Sequence, residues 1–219
     1  EMRENTSSNT GTTTPSISAN NCLYSDGTYK YQYDNEGNRT KRTSLADGSS
    51  TEYTWDYRNR LTKVTDKAPS GAITRIVTYT YDYRDRLIRR GLDPDGAATQ
   101  QSMTYTYDVY QGGELLVEYQ DADGLNHSTQ STSVARRYLY GAAADQILAT
   151  DNMAGAVRWG LADHEGTIRD VVDNSGTLMN HVKFDSFGTP TDGTAPASDF
   201  LFGLAGMPYD GATKTYKAD

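Results

Sequence analysis

The sequence has a single cysteine, Cys22, in 219 residues. One cysteine excludes an internal disulfide framework and a cysteine zinc cluster, and no neighbour of Cys22 would stabilise a thiolate, so we expect a buried or half-buried structural residue. No apolar run reaches the length of a membrane span, and no signal peptide opens the chain. Because the chain begins at Glu1 rather than Met, we expect a fragment or a processed product, and the missing signal peptide does not decide its location.

Large aliphatic side chains are also scarce. Leu, Ile, Val and Phe together number 33, about 15% of the chain, which is below the usual level for a self-sufficient core. The chain has 17 Tyr and 2 Trp instead, and these rings bury large areas while their polar tips need a partner or water. This composition is typical of a sheet that lines a wet surface or cavity.

Basic side chains are few in the second half. Residues 1–90 carry 14 basic and 11 acidic side chains, whereas residues 91–219 carry 7 basic and 18 acidic, and the whole chain has a net charge of −8. An acidic balance argues against nucleic acid as the main partner. We interpret the asymmetry as a solvated surface; the alternative is that acidic walls face a basic guest or a neighbouring chain.

A repeated Tyr-x-Tyr-Asp unit is the strongest positive signal. Residues 79–87 (YTYDYRDRL) match residues 53–61 (YTWDYRNRL), 26 positions earlier, at seven of nine positions. The aromatic/polar alternation predicts a strand, and Asp followed three residues later by a residue that tolerates positive φ predicts a turn. Each unit is therefore predicted to be a β-hairpin and the repetition an array of hairpins. The residues predicted to build these strands and turns are Tyr31, Tyr33, Asp34, Gly37, Tyr53, Trp55, Asp56, Asn59, Tyr79, Tyr81, Asp82, Asp85, Tyr105, Tyr107 and Asp108.

The organisation along the chain follows from these units. We predict an all-β fold of serial antiparallel hairpins in three regions: a Ser/Thr/Asn-rich segment or edge strand over residues 1–28, the array over 29–118, and a further β region over 119–219. The copy around Asp108 differs from the other units, because residues Val109–Gly113 are predicted to lengthen its turn and to add a bulge. Residues 119–135 are predicted to be a long connection and residues 188–198 a loop. No segment has helical periodicity over three turns.

The sequence gives only weak signals for catalytic or metal-binding residues. The pair Asp163-His164 is more consistent with a turn carboxylate and a sheet histidine than with a catalytic dyad, and His127 and His181 are isolated in sequence. The segments beginning at Asp93 and at Asp121 resemble the start of a calcium loop without its remaining ligands. Three arginines after turns, Arg39, Arg60 and Arg86, are predicted to pair with the turn Asp of a neighbouring hairpin.

The chain resembles the Rhs/YD-repeat family, which includes bacterial Rhs proteins, the shells of insecticidal toxin complexes and the YD shells of teneurins. The Tyr-x-Tyr-Asp units carry one part of this resemblance. The more specific part resembles the C-terminal region of the Rhs core in order and spacing, and the whole resemblance covers about residues 29–217. Its segments are 137–141 (RYLYG), 145–149 (DQILA), 159–173 (WGLADHEGTIRDVVD), 182–188 (VKFDSFG) and 202–206 (FGLAG). Trp159, Asp163, His164, Gly166, Asp185 and Gly188 join the predicted structural motif on this basis.

The resemblance implies a long sheet that spirals into a hollow shell around a C-terminal toxin or other cargo. Some members cleave themselves near the end of the shell; here Ala205-Gly206-Met207-Pro208 replaces the usual sequence, and the cleavage motif would lie beyond Asp219. We therefore expect a structural, non-enzymatic shell segment without cofactor or metal, in a secreted or cell-surface bacterial protein. Its expected partners are the remainder of the same polypeptide or a toxin cargo.

Two alternatives belong to other functional classes. Free strand edges invite pairing between copies, which would make the chain a cell-surface adhesive or fibre-forming protein. An enzyme using Asp163 and His164 is the other alternative.

Overall fold

The protein is built from β-strands joined by short turns. The computed structural model describes residues 16–17, 22–96, 103–122, 124, 132–143, 146–185, 188, 190–192, 200, 202–213 and 215–216. The strands are β1 (Ser16–Ile17), β2 (Leu23–Ser25), β3 (Tyr29–Tyr33), β4 (Arg39–Ser44), β5 (Ser50–Trp55), β6 (Leu61–Lys67), β7 (Ile73–Tyr81), β8 (Leu87–Asp93), β9 (Thr104–Gln111), β10 (Glu114–Asp121), β11 (Thr132–Tyr140), β12 (Ile147–Asp151), β13 (Val157–Ala162), β14 (Ile168–Val172), β15 (Leu178–His181), β16 (Lys183–Phe184), β17 (Pro190–Asp192), β18 (Tyr209–Asp210) and β19 (Thr215–Tyr216). A 3₁₀ turn spans Leu204–Gly206, and the described ranges contain no α-helix.

One sheet of 15 strands dominates the fold. Its order is β1 to β15, so that each strand lies beside the strands that precede and follow it in sequence. Strands β16 and β17 form a second, two-stranded sheet, and β18 and β19 form a third. Short turns permit only antiparallel pairing of consecutive strands, and the prediction of an all-β array of serial hairpins is confirmed. Within the described residues, no helix is long and apolar enough to cross a membrane.

The first of two compact units comprises residues 1–76 and 94–97. Its sheet buries Tyr31, Tyr53 and Val64. The guanidinium of Arg39 stacks on both tyrosine rings, 5.6 Å from the centroid of Tyr31 and 4.8 Å from that of Tyr53. Aromatic–cation stacks therefore take the place of aliphatic packing, as the scarcity of Leu, Ile and Val requires.

Two short strands of the N-terminal region pair at the edge of this unit. β1 pairs antiparallel with β2, and β2 pairs with β3. This is the edge pairing considered for residues 1–28; residues 1–15 and 18–21 lie outside the described residues. Cys22 is half-buried.

The second unit comprises residues 77–93 and 98–219 and contains a denser apolar core. Phe202 packs edge-on against the ring of Tyr138, with centroids 5.5 Å apart and planes at 84°. A Cβ on Gly160 would stand 2.7 Å from Cζ of Phe200, so the approach of this ring to β13 requires glycine. The buried core residues are Leu115, Tyr138, Ile147, Ile168, Val171, Phe200 and Phe202.

Two predicted connections are shorter in the structure. β10 extends to Asp121 and β11 begins at Thr132, so strands occupy both ends of the predicted connection 119–135. β17 occupies residues 190–192 within the predicted loop 188–198, because Phe184 and Pro190 pair across a hairpin begun by Asp185. Residues 193–199 lie outside the described residues.

The repeat that contains Asp108 has its bulge in the strand pairing and not in the turn. Asp108 lies inside β9, opposite Glu118, and the chain reverses at Gly112–Gly113. The register between β9 and β10 shifts between Leu115 and Val117. Asp108 therefore forms no turn, which corrects the prediction for this residue.

Candidate functional site

The repeated carboxylates build the turns through both of their oxygens. In the hairpin of β5 and β6, the amide of Asn59 donates to the carbonyl of Asp56 at 3.0 Å. Oδ1 of Asp56 accepts hydrogen bonds from the amides of Arg58 (2.9 Å) and Arg60 (3.0 Å). Asn59 takes the left-handed conformation, with φ of 58°, that closes a turn of this type. The carboxylate thus satisfies two amides that the tight turn leaves without ladder partners.

The same geometry recurs at other predicted turns. Asp82 accepts from the amides of Arg84 (2.8 Å) and Arg86 (3.0 Å), and Asp163 accepts from those of Glu165 (3.0 Å) and Thr167 (3.1 Å). The left-handed residue comes three positions after each carboxylate, with φ of 88° at Gly37, 67° at Asp85, 77° at Gly166 and 82° at Gly188. The carbonyls of Asp34 and Asp185 accept from the amides of Gly37 and Gly188 at 3.3 Å and 3.0 Å.

The arginines after these turns pair within their own hairpin. Arg60 donates from Nε to Oδ2 of Asp56 at 2.8 Å, and Arg86 makes the same 2.8 Å contact with Asp82. Arg39 instead stacks on tyrosines. An arginine four positions after the turn carboxylate thus reaches the outer oxygen of its own hairpin, and pairing with the turn Asp of a neighbouring hairpin stays a prediction.

We predict that Asp56→Ala lowers the free energy of unfolding by about 1–2 kcal/mol, since two turn amides and the Arg60 guanidinium lose their acceptor. Asp56→Asn, which keeps an amide acceptor and loses the charge, should fall between Asp56→Ala and the parent. Tyr57→Ala in the same turn is the matched control, because its ring is 92% exposed. Urea unfolding checks the order; equal stability of Asp56→Ala and Tyr57→Ala would contradict it.

The aromatic residues of the repeat are either buried in the sheet or half-buried, with contacts to neighbouring residues. Tyr31, Tyr53 and Tyr105 are buried, whereas the hydroxyl of Tyr33 donates to the carbonyl of Leu23 at 3.2 Å. Tyr107 packs against Tyr105, with centroids 6.3 Å apart. Trp55 replaces the second tyrosine of its unit and donates from Nε1 to the carbonyl of Arg39 at 2.9 Å. Tyr81 is the last residue of β7 and half-buried.

A half-buried ion-pair cluster joins the C-terminal hairpin of the second unit to β7 and β8. Arg90 donates from Nε and from a terminal nitrogen to the two oxygens of Asp210, both at 2.8 Å. The hydroxyl of Tyr79 donates to Oδ2 of Asp210 at 2.6 Å and lies 3.2 Å from Oγ1 of Thr213. Burial alone would raise the pKa of Asp210, but Arg90 and Tyr79 outweigh it and hold this pKa below its ordinary value. We call Tyr79, Arg90 and Asp210 the C-terminal ion-pair cluster.

Sequence reasoning missed this cluster. Tyr79 is predicted above only as a strand residue of the repeat, and Asp210 is not singled out. The available signal was the dipeptide Tyr209-Asp210, which repeats the Tyr-Asp pair of the array. Pairing over 120 residues is invisible to a local pattern.

Asp163 is a turn carboxylate as predicted, whereas His164 and His181 are placed differently from the prediction. Asp163 is engaged by turn amides and by Nε of Arg169 at 2.8 Å, and the side chain of His164 is 89% exposed, so these two side chains form no dyad. His181, predicted to be isolated, lies with Nδ1 2.5 Å from Oδ1 of Asp170 on the adjacent strand. His127 lies outside the described residues.

The described residues include no group of three or more His, Cys, Asp or Glu side chains placed to hold a metal ion. Asp93 and Asp121, which begin the two calcium-like segments, are fully buried at strand ends. An apolar cavity of about 20 Å³ in the second unit is large enough for one water molecule and far too small for an organic cofactor. Its lining includes Phe184, Phe200, Phe202, Tyr209 and Tyr216.

Comparison with known proteins gives consistent results. The sequence model described as "Teneurin YD-shell" matches residues 5–217. A curated relative, the tRNA3(Ser)-specific nuclease WapA of Bacillus spizizenii, is 29% identical over 211 residues, which are 88% of this chain and 9% of that protein. The TcdB2-TccC3 crystal structure superposes with a TM-score of 0.52 at 16% identity, over 86% of this chain and 11% of that one. A structure of the Photorhabdus luminescens Tc holotoxin pore gives a TM-score of 0.39 at 13% identity, over 86% and 13% of the two chains.

This chain thus spans about a tenth of the length of the relatives it matches. The likeness to TcdB2-TccC3 shows a shared fold, and the family match extends over nearly every residue of the chain. The chain belongs to the teneurin YD-shell family.

Proposed function

We propose that this chain is a wall segment of a YD shell that encloses a toxin or other effector cargo. The observation that carries the proposal is the order of the 15-stranded sheet, in which every strand neighbours the next in sequence. A sheet of this order grows in one direction as the chain proceeds and extends without crossover connections. This is the property that a continuous wall requires.

The chemistry of the sheet also suits a hydrated wall. In the first unit, a guanidinium nitrogen of Arg42 donates to Oγ1 of Thr51 at 3.3 Å, and Thr51 donates to Oδ1 of Asp66 at 2.7 Å. Nε of Arg75 donates to the other oxygen of Asp66 at 2.7 Å. This polar ladder crosses four strands and holds their register through hydrogen bonds rather than apolar packing.

The proposed partners are the remainder of the polypeptide that contains this chain and the cargo that its wall surrounds. A nuclease, as named in the WapA relative, is one class of effector that such a shell would carry. The segment itself would act mechanically, without cofactor, with 1–28 at an edge, 29–118 as the repeat wall and 119–219 as its C-terminal part. Secretion or display on a bacterial surface fits a protein that keeps an effector enclosed until release.

Protease protection of the complete gene product tests the proposal. Trypsin digestion followed by mass spectrometry should leave the enclosed cargo intact in the parent protein. Leu161→Pro removes a ladder amide inside β13 and should make the cargo cleavable. Tyr57→Pro is the matched control. Tyr57 is the second residue of the turn between β5 and β6, and proline is favoured at the second position of a type I turn.

Two results would contradict the proposal. One is a cargo region that is digested equally in the parent and in Leu161→Pro. The other is concentration-dependent fibres in sedimentation and electron microscopy instead of a discrete particle, which would favour the adhesive or fibre-forming alternative.

A further inference from the structure

One face of the fully described strands β3 to β6 carries lysines and has no apolar or aromatic side chain. Residues paired directly across two strands share a face, and so do alternate residues along one strand. Pairing across these four strands of the first unit places Lys30, Lys41, Lys63 and Lys67 on one face. The other residues of that face are Thr, Ser and Gln, together with a single acid, Glu52. We call this surface the lysine face.

The opposite face of the same strands holds their arginines, their aromatic rings and their other acid. Arg42 is paired with Tyr31 and with Thr51, and Thr51 is paired with Asp66. Arg39 lies on this opposite face as well, because its guanidinium stacks on tyrosine rings there. The lysine face therefore offers ammonium and hydroxyl groups, without a guanidinium or an aromatic ring.

Positive charge is in excess on the lysine face. Nζ of Lys67 donates to Oε2 of Glu52 at 2.6 Å, and Nζ of Lys41 lies 3.4 Å from Oε1 of the same carboxylate. Lys30 and Lys63 form no ion pair with any residue that the structure describes. Four lysines and one glutamate leave the face with a charge of +3, in a chain whose net charge is −8. The face is thus a local cationic surface that its own strands do not neutralise.

The lysines stand where a partner can reach them. Lys30 is exposed and Lys63 is half-buried, and the side chains of Lys41 and Lys67 are 33% and 27% exposed. The shorter side chain of Thr65, between Lys63 and Lys67 on β6, is buried. The lysines are therefore what a partner meets at this part of the face.

Three of the lysines follow a diagonal across the four strands. Lys41 is one strand and two residues away from Lys30, because Lys30 is paired with Thr43. Lys63 is two strands and two residues further on in the same direction. With strands about 4.8 Å apart and a rise of about 3.4 Å per residue, the three Cα atoms span about 20 Å. About six residues of an extended chain cover this length.

The chemistry of the lysine face favours carboxylates over nucleic acid or lipid. Single-stranded nucleic acid is bound by aromatic stacking, and bidentate phosphate binding requires arginine; both kinds of side chain lie on the opposite face. Insertion into a membrane interface requires apolar or aromatic side chains, which the lysine face lacks. A long polyanion is also repelled by the net charge of −8 of the whole chain. A short acidic segment carries only as much charge as the face can pair.

We propose that the lysine face binds an extended acidic segment of a partner protein, about six residues long, with carboxylates at alternate positions. Such carboxylates lie on one side of the segment, about 6.8 Å apart, which matches the two-residue steps between Lys30, Lys41 and Lys63 along the strands. The hydroxyl and amide side chains between the lysines would donate to the remaining carboxylate oxygens. The inference concerns this face alone and does not depend on the enclosure of a cargo.

Binding of a synthetic peptide tests the inference. The probe is a fluorescently labelled peptide of alternating Glu and Ser, titrated with the full chain in anisotropy measurements at low ionic strength. Lys30→Glu combined with Lys63→Glu should weaken binding about tenfold or more, because it reverses two charges on the face. Arg58→Glu combined with Arg84→Glu is the matched control. Both arginines are exposed turn residues and the change in net charge is the same, so binding should change less than about threefold.

A peptide of alternating Lys and Ser should bind at least about tenfold more weakly than the acidic one. Equal thermal unfolding of the two double variants shows that folding does not cause the difference between them. Three outcomes overturn the inference: no binding of the acidic peptide at millimolar concentration, equal weakening by both double variants, or equal binding of both peptides.

Two further measurements would assign the lysine face to a different partner and so overturn the inference. Tighter binding of a thymidine oligonucleotide or of phosphatidylserine vesicles than of the acidic peptide would assign the face to nucleic acid or to a membrane. Sedimentation that shows an oligomer of the parent, dissociated by Lys30→Glu with Lys63→Glu and not by the control variant, would assign it to self-association.

Discussion

Replacing Asp210 with alanine is expected to lower the free energy of unfolding by about 3 kcal/mol. The substitution leaves the guanidinium of Arg90, whose side chain is 23% exposed, without its carboxylate. Breaking a half-buried ion pair from one side has an effect at the lower end of the range of about 3–5 kcal/mol for buried pairs. It also removes the acceptor of the Tyr79 hydroxyl, which lies 2.6 Å from Oδ2 of Asp210. Urea unfolding followed by circular dichroism measures the change.

Two companion variants separate the ion pair from simple loss of packing. Tyr79→Phe removes one hydrogen bond and should lower the free energy of unfolding by about 1 kcal/mol. Arg90→Met combined with Asp210→Leu removes both charges and should recover most of the stability lost in Asp210→Ala, because no half-buried charge is then left without its partner. A double variant as unstable as Asp210→Ala would show that packing, and not the uncompensated charge, dominates.

The same cluster predicts how stability depends on pH. The folded pKa of Asp210 lies below its ordinary value, because Arg90 and Tyr79 outweigh the effect of burial. Its contribution is therefore complete above the unfolded pKa of about 3.9 and is lost as the pH falls through the folded pKa. The stability difference between the parent and Asp210→Ala should shrink on acidification below about pH 4. A difference that is constant over this range would contradict the assignment.

The hairpins could be predicted from the sequence because their determinants are local. The carboxylate of Asp82, the amides that it accepts from and the left-handed residue Asp85 lie within five consecutive residues. The alternation of Tyr79 and Tyr81 fixes the strand before the turn over an equally short stretch. A period of 26 residues then extends one such hairpin into an array.

The features that could not be predicted depend on register between distant segments. His181 meets Asp170 because β14 and β15 pair with a particular offset, and a bulge in that pairing has no sequence signature. Asp210 meets Arg90 across 120 residues.

Replacing Phe202 with alanine is the other change expected to have a large effect, about 3–4 kcal/mol in the free energy of unfolding. The ring is buried and packs edge-on against Tyr138 and Tyr140, with centroids 5.5 Å and 6.3 Å away. Its removal leaves a cavity between the sheet and residues 202–213, here called the C-terminal segment, and close-packed surroundings close such a cavity only in part. Urea unfolding measures the loss.

Leu116→Ala in β10 is the matched control, because Leu116 is 39% exposed and its truncation should cost less than about 0.5 kcal/mol. The backbone bond from the amide of Ile168 to the carbonyl of Gly203, at 3.1 Å, remains in the Phe202 variant. If that backbone hydrogen bond and the C-terminal ion-pair cluster were enough to hold the segment, Phe202→Ala and Leu116→Ala would have the same free energy of unfolding. A clear separation of the two variants would instead show that aromatic packing is what fixes the C-terminal segment to the sheet.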